Sequence, residues 1–167
     1  MASSDVAEFL RDVRLFQAFS DQDRESVARA LREKSLRKGQ ILMREGDVGD
    51  EMFFVRRGAL VVSKAVTGPV EQVLARMGPG DFVGEMALFD REPRSATIQA
   101  DPTSEASLLV LDRASLEALI EANPRAAASF FRALVNVFIE RMRASCNLIA
   151  EVTRWGLEAT GLDVENR

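Results

Sequence analysis

"EMFFVRRGALVVSK", residues 51–64, sets the course of the chain. Four apolar residues stand in a row, an Arg-Arg-Gly step follows, and a second apolar run begins at once. Aromatic and β-branched side chains in runs this short favour the pleated backbone of a strand. A glycine between two such runs marks a turn joining neighbouring strands.

Working outward, the same texture recurs. "VEQVLARM" (70–77), "RSATIQA" (94–100) and "ASLLVLD" (106–112) also read as strands. "REGDVGDE" (44–51), "VTGPV" (66–70), "MGPGD" (77–81) and "DREPR" (90–94) read as the turns between strands. Short strands with glycine turns at regular spacing predict a small antiparallel barrel or jelly roll over residues 33–112. No internal repeat or low-complexity segment interrupts it.

The flanks carry a different period. Over residues 5–32 the pattern is helical: Val6, Phe9, Leu10 and Val13 share one face, and Ser20 followed by Asp23 forms an N-cap signal. "DRASLEALIEANP" (112–124) predicts a short helix capped by Asp112, with Pro124 restarting the chain. From Arg125 to about Trp155 one long helix follows. Its apolar stripe is Phe131, Leu134, Val135, Phe138, Ile139, Met142, Cys146, Ile149 and Val152. Such a stripe serves either packing on the domain or a dimer seam over residues 126–152. The expected organisation is one domain over 1–155, with helices at 5–32, strands at 33–112 and helices at 113–155. A flexible tail at 156–167 completes it.

Composition removes several chemistries. Of 167 residues, 47% are hydrophobic and 29% charged, which fits an ordinary globular domain. There is no histidine and a single cysteine, Cys146, so no internal disulfide, Cys/His metal site, His-ligated haem or His-dependent nucleophile can be assembled. Among apolar neighbours Cys146 is expected to be a small buried hydrophobe. The formal net charge of −4 argues mildly against general nucleic-acid binding. No segment reaches the ~18 apolar residues of a membrane span. The N-terminus "MASSDVAEFLRD" lacks the cationic start of a signal peptide, so a cytoplasmic location is expected.

"GEMALFDREPRSAT", residues 84–97, is where ligand chemistry concentrates. Gly84 permits a tight turn and the close approach of a ligand. "EMALF" reads as one helical turn whose first N–H groups could face an anion. Arg94 offers a permanent charge and a planar fork of donors suited to phosphate. Ser95 adds a hydroxyl, Ala96 leaves its N–H accessible, and Glu85 could accept from a sugar hydroxyl. An anion site beside a hydroxyl-reading carboxylate suits a nucleotide with one phosphate. The plainer alternative is an ion pair between Glu85 and Arg94 on a turn.

Gly84-Glu85-Met86-Ala87-Leu88 and Pro93-Arg94-Ser95-Ala96-Thr97 closely resemble the phosphate-binding cassette of the cyclic nucleotide-binding domain family. "RKGQILMREGDVGDEMFFVRRGALVVS" (37–63), "MGPGDFVGE" (77–85) and "EANPRAAASFFRALVNVFIERMR" (121–143) extend the resemblance to about residues 10–150. It implies an α+β, mainly β fold: an eight-stranded antiparallel β-roll flanked by N-terminal helices and a long C-terminal helix. It also implies that Glu85 accepts from the ribose 2′-OH and that Arg94 pairs with the exocyclic phosphate oxygens. The backbone of Ala87, Ser95 and Ala96 and the Ser95 hydroxyl would complete the cradle, beside Val83, Gly84 and Met86. Val62, Ala75 and Met77 match positions lining the sugar–base cavity. Ser145 and Asn147, polar positions of the long helix, are candidates for touching the base.

The resemblance makes cyclic AMP the expected ligand and cyclic GMP the alternative, since the residue after the cassette arginine is Ser95 and not threonine. No metal, no other cofactor and no catalysis are expected, because Glu85 with Arg94 supplies neither metal ligands nor a nucleophile–base pair. Only about a dozen residues follow the long helix, too few for a helix-turn-helix. If the chain is complete, its output is expected to pass to an unidentified effector protein or through self-association. A non-binding interaction module with a vestigial pocket is the competing expectation.

Overall fold

The computed structural model describes residues 3–67 and 70–160, so Gly68 and Pro69 of the expected 66–70 turn and the end of the expected tail lie outside it. Eight strands follow one another: β1 Arg32–Leu36, β2 Ile41–Met43, β3 Glu51–Arg57, β4 Leu60–Thr67, β5 Val70–Met77, β6 Phe82–Val83, β7 Thr97–Ala100 and β8 Ala106–Asp112. They form two four-stranded sheets, in the orders β1-β8-β3-β6 and β2-β7-β4-β5. Every pairing is antiparallel. The helices are α1 Ser3–Phe9, α2 Asp21–Ala30, α3 Arg113–Ala122 and α4 Pro124–Ala159, with 3-10 turns at Arg14–Phe16 and Glu85–Leu88. This is the expected α+β β-roll with helices at both ends of the chain.

The opening stretch is explained by burial on two faces. In β3, Met52, Phe53, Phe54 and Val55 are all buried, and in β8 so are Leu108, Leu109, Val110 and Leu111. Phe53 and Val55 point into the roll, where they pack with Leu36, Leu60, Val83, Ile98, Leu108 and Val110. The alternate residues point outward under the helices. Phe54 meets Phe16 at 5.4 Å between ring centroids, and Phe16 meets Phe130 at 5.9 Å. A strand sandwiched in this way must be apolar at every position, which is why "MFFV" and "LLVL" lack alternation. By contrast β7 alternates, with Ile98 and Ala100 inside and Thr97 and Gln99 half-buried.

The caps form where the sequence placed them. The Ser20 side chain accepts from Asp23 N–H at the start of α2, and the Asp112 carboxylate accepts from Ser115 N–H at the start of α3. Asn123 joins the two helical regions: its amide donates to Asp23 at 2.9 Å, and its carbonyl oxygen accepts from Ala126 N–H. β1, β2 and β6 have no strand signal of their own, being polar ("REKSL") or only three and two residues long.

The chain forms two compact units, residues 1–130 and 131–167, and the boundary falls within α4. In the second unit Leu134 is buried and Phe131 and Phe138 are half-buried, but every residue from Ile139 to Thr160 is exposed. Cys146 is among them, contrary to the expected buried position. Its apolar neighbours along the helix are themselves exposed, so they build no core around it. The helix also runs on to Ala159, so residues 156–159 are not part of a tail. No Pro interrupts the segment after Trp155, and a helix already propagating continues at little cost. No described helix is long and apolar enough to cross a membrane.

Candidate ligand-binding site

The site is built on the segment from β6 to β7. Gly84 ends β6 in the left-handed region, at φ 78°, and caps the 3-10 turn Glu85–Leu88. A Cβ there would lie 2.9 Å from Arg94 Nη1 and 3.0 Å from the Glu51 carbonyl oxygen, so both conformation and space require glycine. The turn carries Glu85 into the protein, where it is only 7% exposed, and buries Ala87, while Met86 is exposed. The Ala87 N–H closes back onto the Gly84 carbonyl at 3.3 Å.

Arg94 lies across this turn. Its backbone is docked on the loop between β2 and β3: its N–H donates to the Asp47 carbonyl at 2.8 Å and its carbonyl accepts from Gly46 N–H at 2.9 Å. The side chain is 8% exposed. Nη1 donates to the Gly84 carbonyl at 3.2 Å, and the guanidinium sits 5.9 Å from the centre of the Phe53 ring. On its other side is Gly49, where a Cβ would come within 2.5 Å of Nη2. Two glycines therefore leave the space that the guanidinium fills. Burial presses the Arg94 pKa below the usual arginine value, while Asp50 and Asp47 pull the other way. At neutral pH the group stays a cation. Among the described residues the guanidinium makes one side-chain hydrogen bond, so most of its five donors remain for an anion.

The other predicted residues divide by burial. Val83 is buried opposite Phe53 in the β3–β6 pair. Val62 and Met77 are half-buried against the inner cluster. Ala75 pairs with Val62 across β4–β5 but is exposed. Ser95 is exposed, Ala96 half-buried. Ser145 and Asn147 belong to the second unit and are exposed; the Ser145 hydroxyl donates to the Arg141 carbonyl at 3.0 Å.

Three supporting residues escaped the sequence reading. Arg113, the first residue of α3, donates through Nη2 to the carbonyls of Ala87, at 2.6 Å, and Asp90, tying the end of the 3-10 turn to that helix. A cation in a helix's first turn opposes the macrodipole, and that mismatch was the available signal. Lys64 of β4 donates to the Ser95 carbonyl at 2.9 Å and to Glu45 at 2.7 Å. Glu45 also accepts from Ala65 N–H, and the Lys64 bond leads the causes that hold its carboxyl below the usual value. Lys34 of β1 places its ammonium 5.4 Å from the Phe53 ring centre. No group of three or more potential metal ligands occurs among the described residues.

The family profile for the cyclic nucleotide-binding domain matches residues 33–123. A cyclic nucleotide-gated potassium channel of Mesorhizobium japonicum is 42% identical over 118 residues, which is 71% of this chain and 31% of the channel. A cAMP-dependent protein kinase regulatory subunit of Debaryomyces hansenii is 37% identical over 56% of this chain and 20% of its own. The chain thus spans less than a third of either relative. Among solved structures, a cyclic nucleotide-binding domain from Methylobacillus flagellatus superposes with a TM-score of 0.77 at 26% identity, covering 89% of this chain and 83% of that one. The regulatory domain of Toxoplasma gondii PKA, crystallised with cAMP, gives 0.70 at 27% identity over 83% of this chain and 50% of that one.

Proposed function

Because the chain belongs to the cyclic nucleotide-binding domain family, we propose that it is a receptor for a cyclic mononucleotide, cyclic AMP before cyclic GMP. The observation that carries this reading is Arg94. A guanidinium 8% exposed, wedged between two glycines, bonded to one carbonyl and still charged is a device for meeting an anion. The phosphate of the ligand takes its remaining donors. Glu85, at the start of the same turn, takes the ribose 2′-OH, and Val62, Met77 and Val83 face the sugar and base. The relative crystallised with cAMP supports the nucleotide class, and Ser95 after the arginine supports the adenine choice.

Output passes through α4. Beyond residue 130 of that helix Val135, Met142, Ile149 and Val152 are each more than half exposed, and with the half-buried Phe138 and the exposed Ser145 they recur at alternate steps of three and four. That spacing is a coiled-coil seam, and it suits a second copy or a partner helix. Binding biases the helix between two arrangements, and the unidentified effector reads the difference. No reaction is assigned to the site.

The role of Glu85 separates this reading from simple anion binding. Glu85→Ala should reduce affinity for cyclic AMP while leaving that for 2′-deoxy cyclic AMP nearly unchanged, as followed by displacement of a fluorescent analogue. Equal losses for both ligands would remove Glu85 from ribose recognition and leave it a role in the fold alone.

A further inference from the structure

We propose that Lys34 supplies a second positive charge to the phosphate site, so that the ligand's phosphate is met by cations from two separate elements, the Arg94 loop and strand β1. This rests on the nucleotide reading above and extends it to a residue outside the cassette.

The placement follows from strand geometry. Side chains two apart in β1 share a face, and Leu36 is buried in the cluster inside the roll. Lys34 is on the same face, opposite Leu108 of β8, which belongs to that cluster too. A lysine therefore stands where the alternation calls for an apolar residue. Its ammonium and the Arg94 guanidinium approach one aromatic ring, at 5.4 and 5.9 Å from the Phe53 centroid. Phe53 is 1% exposed, so both cations lie against the wall of the roll.

The charges around them are unequal. Arg94 has Asp50 and Asp47 for neighbours. Arg32, next but one to Lys34 on β1, is paired with Glu51 and lies 3.8 Å from Asp112. Lys34 has no hydrogen-bonded or ion-paired carboxylate among the described residues. Burial lowers its pKa first, then Arg32 and Arg94 lower it further, and no neighbouring carboxylate opposes them. A half-buried ammonium in that position gains from an arriving anion what its surroundings do not provide. One phosphate charge fits this local excess. A role limited to resting on the Phe53 face would require no anion.

Three proteins decide it: wild type, Lys34→Met, which keeps the stem but not the charge, and Lys34→Arg. Each is titrated with cyclic AMP at several salt concentrations, and the thermal stability of each is recorded without ligand. The expected result is that Lys34→Met loses about tenfold in affinity, with a shallower salt dependence and unreduced stability. Lys34→Arg should recover most of the loss. Affinity of Lys34→Met equal to wild type would overturn the assignment. So would a loss with unchanged salt dependence and lowered stability, which would make Lys34 a packing residue. If wild type binds no cyclic nucleotide, the nucleotide reading falls and the Lys34 assignment with it.

Discussion

Strand β3 and the second half of α4 are both rich in apolar residues and treat them in opposite ways. In β3 the four residues Met52–Val55 are at most 1% exposed, packed inside the roll on one side and beneath helices on the other. In α4 Ile149 is 65% exposed and Trp155 likewise. A folded unit satisfies its own apolar surface, whereas a stripe left open at helical spacing is the kind of surface that the proposed partner would cover. The first region closes the inside of the roll, and the second leaves open the surface that the proposed output would use. The local sequence differs accordingly: an unbroken run in β3, a three-and-four period in α4.

The contrast can be broken most forcefully at Phe54. Phe54→Ala should destabilise the roll by about 3–5 kcal/mol, because a fully buried ring in contact with Phe16 and Phe82 leaves a cavity. Ile149→Asp should change stability by no more than about 0.5 kcal/mol in chemical denaturation. It should instead abolish any self-association seen by sedimentation. A large loss of stability from Ile149→Asp would show that the stripe packs within its own chain.

Within the roll, Arg94→Ala should spare the fold and weaken cyclic AMP binding by about 2–3 kcal/mol, as expected for losing charge-assisted hydrogen bonds at a semi-buried phosphate. Calorimetry of the variant reads this directly, and unchanged affinity would remove Arg94 from the site. A smaller effect is expected at the α3 cap. Asp112→Ala should cost about 1 kcal/mol. The Ser115 N–H, donating to the Asp112 carboxylate, holds its pKa below the usual value. A lowered folded pKa means stabilisation that is complete above the unfolded value and fades as pH falls through the folded one. The difference between wild type and Asp112→Ala should therefore be full at neutral pH and shrink below about pH 4. A gap that is constant with pH would assign the loss to packing.

Much of the fold is legible in the sequence. The doubly buried strands announced themselves as "MFFV" and "LLVL", the caps as Ser20 and Asp112, and the candidate ligand stretch as residues 84–97, though not the packing of Arg94 against Gly84 within it. What stayed hidden has physical causes. Gly49 looks like an ordinary turn glycine until Arg94 is seen to fill the space beside it. Lys34 sits in a strand with one apolar residue, so the parity that turns it inward could not be recognised. Arg113 reads as helix surface until its partners, two backbone carbonyls of a turn more than twenty residues earlier, are known. Cys146 was misplaced because apolar neighbours on a helix predict a core only when something covers them.

Calorimetric titration of the wild-type protein with cyclic AMP, cyclic GMP and 5′-AMP tests the central claim most directly. The account predicts micromolar or tighter binding of cyclic AMP, weaker binding of cyclic GMP and none of 5′-AMP. An absence of heat with all three at high protein concentration would contradict it, and the exposed helix would then be the part of the molecule that carries the function.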